Sequence, residues 1–184
     1  YPGQHDTNLL YSVFDQMFYG PKLYYKLFKK QSKFSGLGFI ENDVNLLKKD
    51  LIVKLKKKFK NKLAIVTGRG IESIRYTLGD LLKEFDLKNS VFLEDEPRDL
   101  AKPNPKSLIK SISGLDSSCC LYVGDSMEDY IMAKKTTEKG FDTIFCAIFG
   151  TSKSTELKRS FFEQKNASMI LRSIDLLPKA LNLV

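Results

Sequence analysis

The alternation of short apolar runs with helical stretches, which begins near residue 39, constrains the fold of this chain more than any other feature. The apolar runs have the length of buried strands and occupy residues 63–67, 91–93, 119–123, 143–149 and 168–171. Between them, apolar residues recur every three or four positions, as they do in amphipathic helices. Because this alternation is typical of a parallel sheet with crossover helices, the sequence predicts an α/β fold.

A different pattern precedes residue 39. Helical periodicity follows Asp6 and Thr7, either of which can cap a helix, and Gly20 interrupts it. A stretch with glycines and serines then leads into the α/β pattern and is typical of a linker. We therefore predict a small helical domain at residues 1–38 and an α/β domain at residues 39–184.

The composition excludes several classes of function. His5 is the only histidine, which leaves almost no material for a catalytic triad or a multi-histidine metal site. Cys119, Cys120 and Cys146 form an odd set without C-x-x-C spacing, which indicates buried thiols in a reducing compartment and hence a cytoplasmic protein. No apolar run approaches the roughly 20 residues of a membrane helix, so we expect no membrane partner.

Lysine provides most of the net charge of +8. The densest run lies at residues 48–62, where apolar residues recur at helical spacing, so the lysines occupy the opposite face of a helix. A solvated helix face explains this run. Nucleic-acid binding is the alternative, and the lack of interleaved aromatic residues or a nucleic-acid motif near the lysines argues against it. The sequence does not indicate an oligomeric state.

Two carboxylates follow the predicted strand at residues 119–123. Gly124 makes a turn, and Asp125 and Asp129 then lie four positions apart, on one face of a helix start. Magnesium prefers oxygen ligands and usually keeps several waters, so one or two carboxylates suffice on this side of a site. We predict Asp125 as the better ligand. The alternative is that Asp125 and Ser126 only cap the helix and that Asp129 faces solvent.

Two further segments lie where strands or loops lead into helices. Thr67, Gly68 and Arg69 follow a strand, and the Thr67 hydroxyl and the amides after it can hold a phosphate oxygen near a helix amino terminus. A plain tight turn is the alternative. Lys102 stands among prolines before another helix, where its ammonium can stabilise a phosphoryl group, although a lone lysine there would indicate only a solvated surface.

In order and spacing, these three segments resemble motifs two, three and four of the haloacid dehalogenase-like hydrolases. The resemblance covers about residues 38–184 and is strongest to the phosphatase branch that carries a helical cap. It implies a three-layer Rossmann-like core with a parallel sheet. It also implies that residues 1–38 are a partial α-helical cap.

The resemblance further implies a role for each site residue. The implied phosphate-binding residues are Thr67, Gly68, Arg69 and Lys102. Lys102 also bridges the phosphate and the nucleophile, and Asp125 ligates the cofactor Mg²⁺. Asp129 orients the side chains of Lys102 and Asp125. Thr67, Lys102 and Asp129 are therefore the implied catalytic residues present in this chain.

The first motif of the family, Asp-x-Asp, occurs nowhere in the 184 residues. In the family this motif ends the central strand of the sheet and supplies the nucleophile, so we expect a core that lacks its first strand. We hypothesise that an upstream segment with the motif was cleaved or left out, which the start at Tyr1 rather than methionine also suggests. The 184 residues alone are then expected to be inactive.

The activity that the resemblance implies is Mg²⁺-dependent hydrolysis of a small phosphorylated metabolite through an aspartyl-phosphate. Dehalogenases and phosphoglucomutase-like enzymes use related scaffolds, but the loop Gly124 to Asp129 favours phosphoryl chemistry. The alternative is a non-catalytic phosphate-binding or scaffold domain that has lost its nucleophile. The identity of the metabolite cannot be derived from the sequence.

Overall fold

The computed structural model of the protein describes residues 8–183, which form two compact units. The first unit comprises the residues up to Asn45 together with Glu72–Gly79, and the second comprises Leu46–Ile71 and the residues from Asp80 onward. The helices are α1 (Leu9–Phe28), α2 (Lys49–Lys58), α3 (Ile71–Leu78), α4 (Lys106–Gly114), α5 (Met127–Glu138), α6 (Thr155–Gln164) and α7 (Leu177–Ala180). The strands are β1 (Val66–Thr67), β2 (Val91–Phe92), β3 (Cys119–Gly124), β4 (Asp142–Ile148) and β5 (Met169–Leu171). Short 3-10 segments lie at Phe39–Asn42, Gly79–Glu84, Leu93–Asp95, Arg98–Leu100 and Ile174–Leu176.

Helix α1 of the first unit bends at Gly20, which confirms the predicted interruption. Gly20 has φ 67° and ψ 169°, a positive-φ conformation that glycine adopts readily and that breaks the helix before Pro21. A Cβ atom on Gly20 would lie 2.5 Å from the backbone nitrogen of Gly38, so the bend brings two glycine backbones together. Asn8 caps the helix by accepting a hydrogen bond from the Leu10 amide at 3.0 Å. The predicted caps at residues 6 and 7 lie outside the described residues.

Aromatic side chains form the core of the first unit. Tyr19, Leu23, Tyr24 and Ile40 are buried together, and the rings of Tyr24 and Phe28 lie 4.9 Å apart. Aromatic pairs of this kind contribute about 0.5–1.5 kcal/mol beyond the burial of their area. The described part of the predicted helical domain therefore has a small core of its own. The boundary at residue 38 stays a prediction.

The second unit contains two parallel sheets. Strands β1 and β2 pair with Val66 opposite Val91, and strands β3, β4 and β5 form a separate sheet in the order β3-β4-β5. All strand pairs are parallel, as the alternating pattern predicts, and Tyr122 of β3 lies opposite Phe145 of β4. Among the described residues, β1 and β3 each pair with a strand on one side only.

Helices cover both faces of the larger sheet and give the predicted three layers. On one face, Tyr122 and Phe145 pack against helices α4, α5 and α6, and the ring of Phe162 on α6 lies 5.8 Å from that of Phe145. On the other face, Cys146 and Ile148 pack against Leu177 of α7. The fold is therefore a Rossmann-like α/β core, as predicted.

The cysteines are free thiols, but they do not share one environment. Cys146 is buried and Cys120 half-buried, whereas Cys119 is exposed at the start of β3, so the prediction of three buried thiols is wrong for Cys119. Neighbouring strand residues point to opposite faces, and Cys119 is the first residue of the strand, at its exposed end. Within the described part of the chain, no helix combines the length and apolar character that crossing a membrane requires.

Candidate active site

The buried carboxylate of Asp129 is the centre of the candidate site. Its Oδ1 atom accepts hydrogen bonds from Lys102 Nζ at 2.6 Å and from the Tyr122 hydroxyl at 2.7 Å. Its Oδ2 atom accepts from the Ser126 hydroxyl at 2.7 Å and from the amides of Ser126 and Asp125 at 3.1 and 3.2 Å. Asp129 is 4% exposed, so the alternative that it faces solvent is wrong. Asp129 therefore contacts both Lys102 and Asp125, the two residues that it is predicted to orient.

The local sequence explains why Asp129 is buried in this way. Ser126 caps α5, because its hydroxyl oxygen accepts a hydrogen bond from the Asp129 amide at 3.1 Å. The Asp129 carboxylate in turn accepts a hydrogen bond from the Ser126 amide, which completes a capping box. Gly124 ends β3 directly beneath the carboxylate, and a Cβ atom there would lie 2.6 Å from Cβ of Asp129. The turn therefore requires glycine because the aspartate folds back over it.

The surroundings of Asp129 favour its charged form. Burial alone opposes ionisation, but the charge of Lys102 and hydrogen bonds from Lys102, Tyr122 and Ser126 outweigh it and lower the pKa of Asp129. The pKa of Tyr122 is raised, first by burial and then by the charge of Asp129. Asp129 is thus an ionised acceptor and Tyr122 a neutral donor at neutral pH.

Lys102 is held between the carboxylate and an aromatic ring. Its side chain is 15% exposed, and its ammonium lies 5.9 Å from the centre of the Tyr122 ring as well as 2.6 Å from Asp129. Both contacts stabilise a cation, and together they fix the position of the ammonium near the carboxyl end of β3. The alternative of a solvated surface lysine is therefore wrong for Lys102.

Asp125 is the open carboxylate of the loop. Its side chain is 55% exposed, and its Oδ2 atom accepts hydrogen bonds from Thr151 Oγ1 at 3.2 Å and from Lys158 Nζ at 3.0 Å. Oδ1 accepts no hydrogen bond from the residues that the structure describes. Asp125 and Asp129 therefore differ in kind, because the fold uses every oxygen of Asp129 and leaves one oxygen of Asp125 open.

The turn after β1 makes its contacts with another acidic segment. The Thr67 hydroxyl accepts a hydrogen bond from the Arg69 amide at 3.3 Å. The amides of Gly70 and Ile71, at the start of α3, donate to Glu94 and Asp95, each at 2.7 Å. Two carboxylates of the chain therefore already satisfy the amides of residues 70 and 71, which are not among the predicted phosphate contacts.

The remaining phosphate-binding predictions on this turn stay predictions. Thr67, Gly68 and Arg69 lie at the carboxyl end of β1, whereas the contacts described above join Lys102, Asp125 and Asp129 into one cluster at the end of β3. Among the described residues, β1 and β3 belong to separate sheets. The predicted residues therefore form two groups, one at the carboxyl end of β1 and the other at the carboxyl end of β3.

Among the described residues, Asp125 is the carboxylate of this cluster with an oxygen open to a further ligand. Within residues 8–183, no group of three or more His, Cys, Asp or Glu side chains is arranged to hold a metal. Magnesium usually keeps several waters and binds one or two carboxylates together with phosphate oxygens, and Asp125 with its open Oδ1 fits that requirement. The Asp129 carboxylate does not fit it, because both of its oxygens already accept hydrogen bonds from the protein.

Sequence reasoning missed three residues of the site. Tyr122 lies within a predicted strand and gives no signal of its own, because a strand tyrosine usually fills a core. Thr151 follows β4 and could have been found, since side chains just after parallel strands lie at the ligand-binding edge. Lys158 is one of many lysines, and only the structure distinguishes it.

The sequence model of the haloacid dehalogenase-like hydrolases, a hydrolase family, matches residues 44–136. This segment includes Thr67, Lys102, Asp125 and Asp129 and covers half of the chain. The chain therefore belongs to the haloacid dehalogenase-like hydrolases, and the resemblance noted in the sequence is confirmed.

A solved structure supports the same fold. The phosphatase Tt82 from Thermococcus thioreducens superposes with a TM-score of 0.55 at 22% sequence identity, over 83% of this chain and 57% of that protein. The chain thus spans little more than half the length of this neighbour, and at this identity the likeness concerns the fold. No curated protein matches the chain significantly.

Proposed function

We propose that this chain is the main part of a Mg²⁺-dependent phosphatase that hydrolyses a small phosphorylated metabolite. The observation that carries the proposal is the cluster of Lys102, Asp125 and Asp129, in which the Lys102 ammonium and the Asp125 amide both contact one buried aspartate and the Asp125 carboxylate stays open. Membership of a hydrolase family and the likeness to a phosphatase fold support it.

Each residue of the cluster has a distinct part in the proposed reaction. Lys102 presents a cation to the phosphoryl oxygens and to the attacking carboxylate. Asp129 holds Lys102 in place through the 2.6 Å contact and takes no part in metal binding. Asp125 would hold Mg²⁺, which when bound supplies positive charge against the phosphoryl oxygens. Thr67, Gly68 and Arg69 are the proposed further phosphate contacts at the end of β1.

The nucleophile in this proposal is an aspartate on a segment outside the 184 residues, and it forms an aspartyl-phosphate that water then hydrolyses. The two parallel sheets support this part of the proposal. Strands β1 and β3 each have an unpaired side among the described residues, yet both Val66 of β1 and Tyr122 of β3 belong to one hydrophobic cluster. An additional parallel strand that ends in Asp-x-Asp would satisfy both sides.

The test is phosphate release from p-nitrophenyl phosphate by the complete gene product, with Mg²⁺ and with a chelator. We expect turnover that requires Mg²⁺ and that falls at least about a hundredfold in Lys102→Met and in Asp125→Asn. Lys135→Met, which removes an exposed lysine of α5, serves as the control and should keep full activity. Absence of turnover by the complete product would count against a phosphatase.

The second candidate is a non-catalytic phosphate-binding or scaffold domain. The absence of Asp-x-Asp from the sequence favours it. Calorimetry with inorganic phosphate, combined with the p-nitrophenyl phosphate assay, separates the two candidates, because a scaffold would bind phosphate but show no turnover even as the complete product. An intact mass of 21.0 kDa for the folded natural protein would also favour this reading.

A further inference from the structure

The carboxylate proposed to hold the metal already has a cation of its own. Lys158 Nζ lies 3.0 Å from Oδ2 of Asp125, on the same carboxylate whose Oδ1 is open. Asp129 is neutralised in the same way by Lys102, so each of these two aspartates has one ammonium. A divalent ion that approaches Asp125 therefore meets a carboxylate whose charge is already balanced.

The position of Lys158 is fixed by the fold. The lysine lies on α6, one helical turn before Phe162, which is 1% exposed in the hydrophobic core. Its side chain is 20% exposed, close to the 15% of Lys102 and far below the 79% of Lys83 in a surface ion pair. Thr151, just after β4, donates to the same oxygen and restricts the carboxylate further.

We propose that Lys158 sets the affinity of the protein for divalent cations by competing with them for Asp125. The proposal rests on the proposed function, since it takes Asp125 as the metal ligand. Lys158 weakens the binding of the free ion and leaves the site to fill when a phosphate supplies additional oxygen ligands. The site would then hold its metal together with substrate rather than permanently.

The experiment is calorimetric titration of the complete gene product with MgCl₂ at constant ionic strength, without substrate. In Lys158→Met the dissociation constant should fall about tenfold, because one ammonium next to a divalent ion changes binding by about that factor at a water-like dielectric constant. Lys158→Arg keeps the charge and should stay within about twofold of the native value. Lys135→Met removes a charge elsewhere and is the matched control.

Unchanged or weaker binding by Lys158→Met would overturn competition, because it would mean that the lysine only orients the carboxylate. Lys158→Gln gives a second neutral variant if the methionine variant does not fold. Asp125→Asn should abolish binding in every background. If the native protein and all the lysine variants bind no Mg²⁺, both the metal site of the proposed function and this inference are wrong. If only the inference is wrong, the native protein and Lys158→Met both bind Mg²⁺ with the same measurable affinity.

Discussion

Replacement of Lys102 by methionine tests whether the cluster is a buried electrostatic unit. The substitution keeps the length of the side chain but removes the ammonium that lies 2.6 Å from Asp129 Oδ1. The Asp129 carboxylate then stays buried with hydrogen bonds from Tyr122, Ser126 and Asp125 and without a counter-ion. Removal of one partner from a buried ion pair typically costs about 3–5 kcal/mol.

The structure indicates a cost near or below the lower end of that range. Four donors to Asp129 remain after the substitution, namely one tyrosine hydroxyl, one serine hydroxyl and two amides. Lys102 is also 15% exposed, so water partly solvates the pair. We expect a loss of about 2–4 kcal/mol in the free energy of unfolding at about pH 7, measured by urea denaturation.

The stability difference between Lys102→Met and the native protein should depend on pH in a defined direction. In the native protein the pKa of Asp129 is lowered, so its contribution to stability is present above the unfolded pKa of about 3.9 and is lost as pH falls through the folded pKa. In Lys102→Met, burial is no longer opposed by the lysine, so the pKa of Asp129 moves upward. The variant can then relieve its buried charge by protonation, and its deficit should shrink between about pH 7 and about pH 4.5.

An exposed ion pair provides the control. Lys83 pairs with Asp80 at 2.6 Å, nearly the same distance, but both side chains are largely solvated, so Lys83→Met should not measurably change stability. Equal stability of Lys102→Met and the native protein at neutral pH would refute the reasoning. A deficit that grows rather than shrinks on acidification would refute it as well.

Two further predictions concern the same sheet. Gly124→Ala places a Cβ atom 2.6 Å from Asp129 Cβ and should lower the thermal midpoint by several degrees, whereas a Cβ atom on Gly68 meets no atom within 4 Å and Gly68→Ala should leave the midpoint unchanged. An unaltered midpoint in Gly124→Ala would contradict the close packing. In thiol labelling with Ellman's reagent, exposed Cys119 should react in the native protein, while burial raises the pKa of Cys146 to about 12 and should delay its reaction until unfolding. Equal labelling rates for these two thiols would show that the sheet face over Cys146 opens readily.

The strands were predictable because buried parallel strands are short apolar runs whose boundaries need no partner to be recognised. The sequence placed β3 at residues 119–123, and the structure extends it only to Gly124. Helical periodicity also runs over residues 174–183 and predicts one helix there, but the structure has a 3-10 segment followed by α7, which ends at Ala180. Helix ends depend on local hydrogen bonds that periodicity does not report.

The satisfaction of the α3 amides could not be predicted from the sequence. Glu94 and Asp95 are separated from Gly70 and Ile71 by more than twenty positions, and nothing in either segment indicates the pairing. The pairing follows from topology, because parallel β1 and β2 end at the same edge and bring the loop after β2 to the amino end of α3. The carboxylates of Glu94 and Asp95 therefore occupy the amino end of α3, where an external anion could otherwise bind.

Asp125 and Asp129 show how far the sequence goes and what the structure adds. Spacing puts both on one side of a helix start and the sequence favours Asp125 as the ligand, but only the structure shows the contacts that separate them. The capping box turns Asp129 back over Gly124 into five hydrogen bonds, and the same turn leaves Asp125 at the surface with Oδ1 open. One carboxylate therefore stabilises the loop so that the other can exchange ligands, and the lysine on each has the corresponding task. Lys102 pairs with the buried carboxylate, whereas Lys158 pairs with the carboxylate that we propose as the metal ligand.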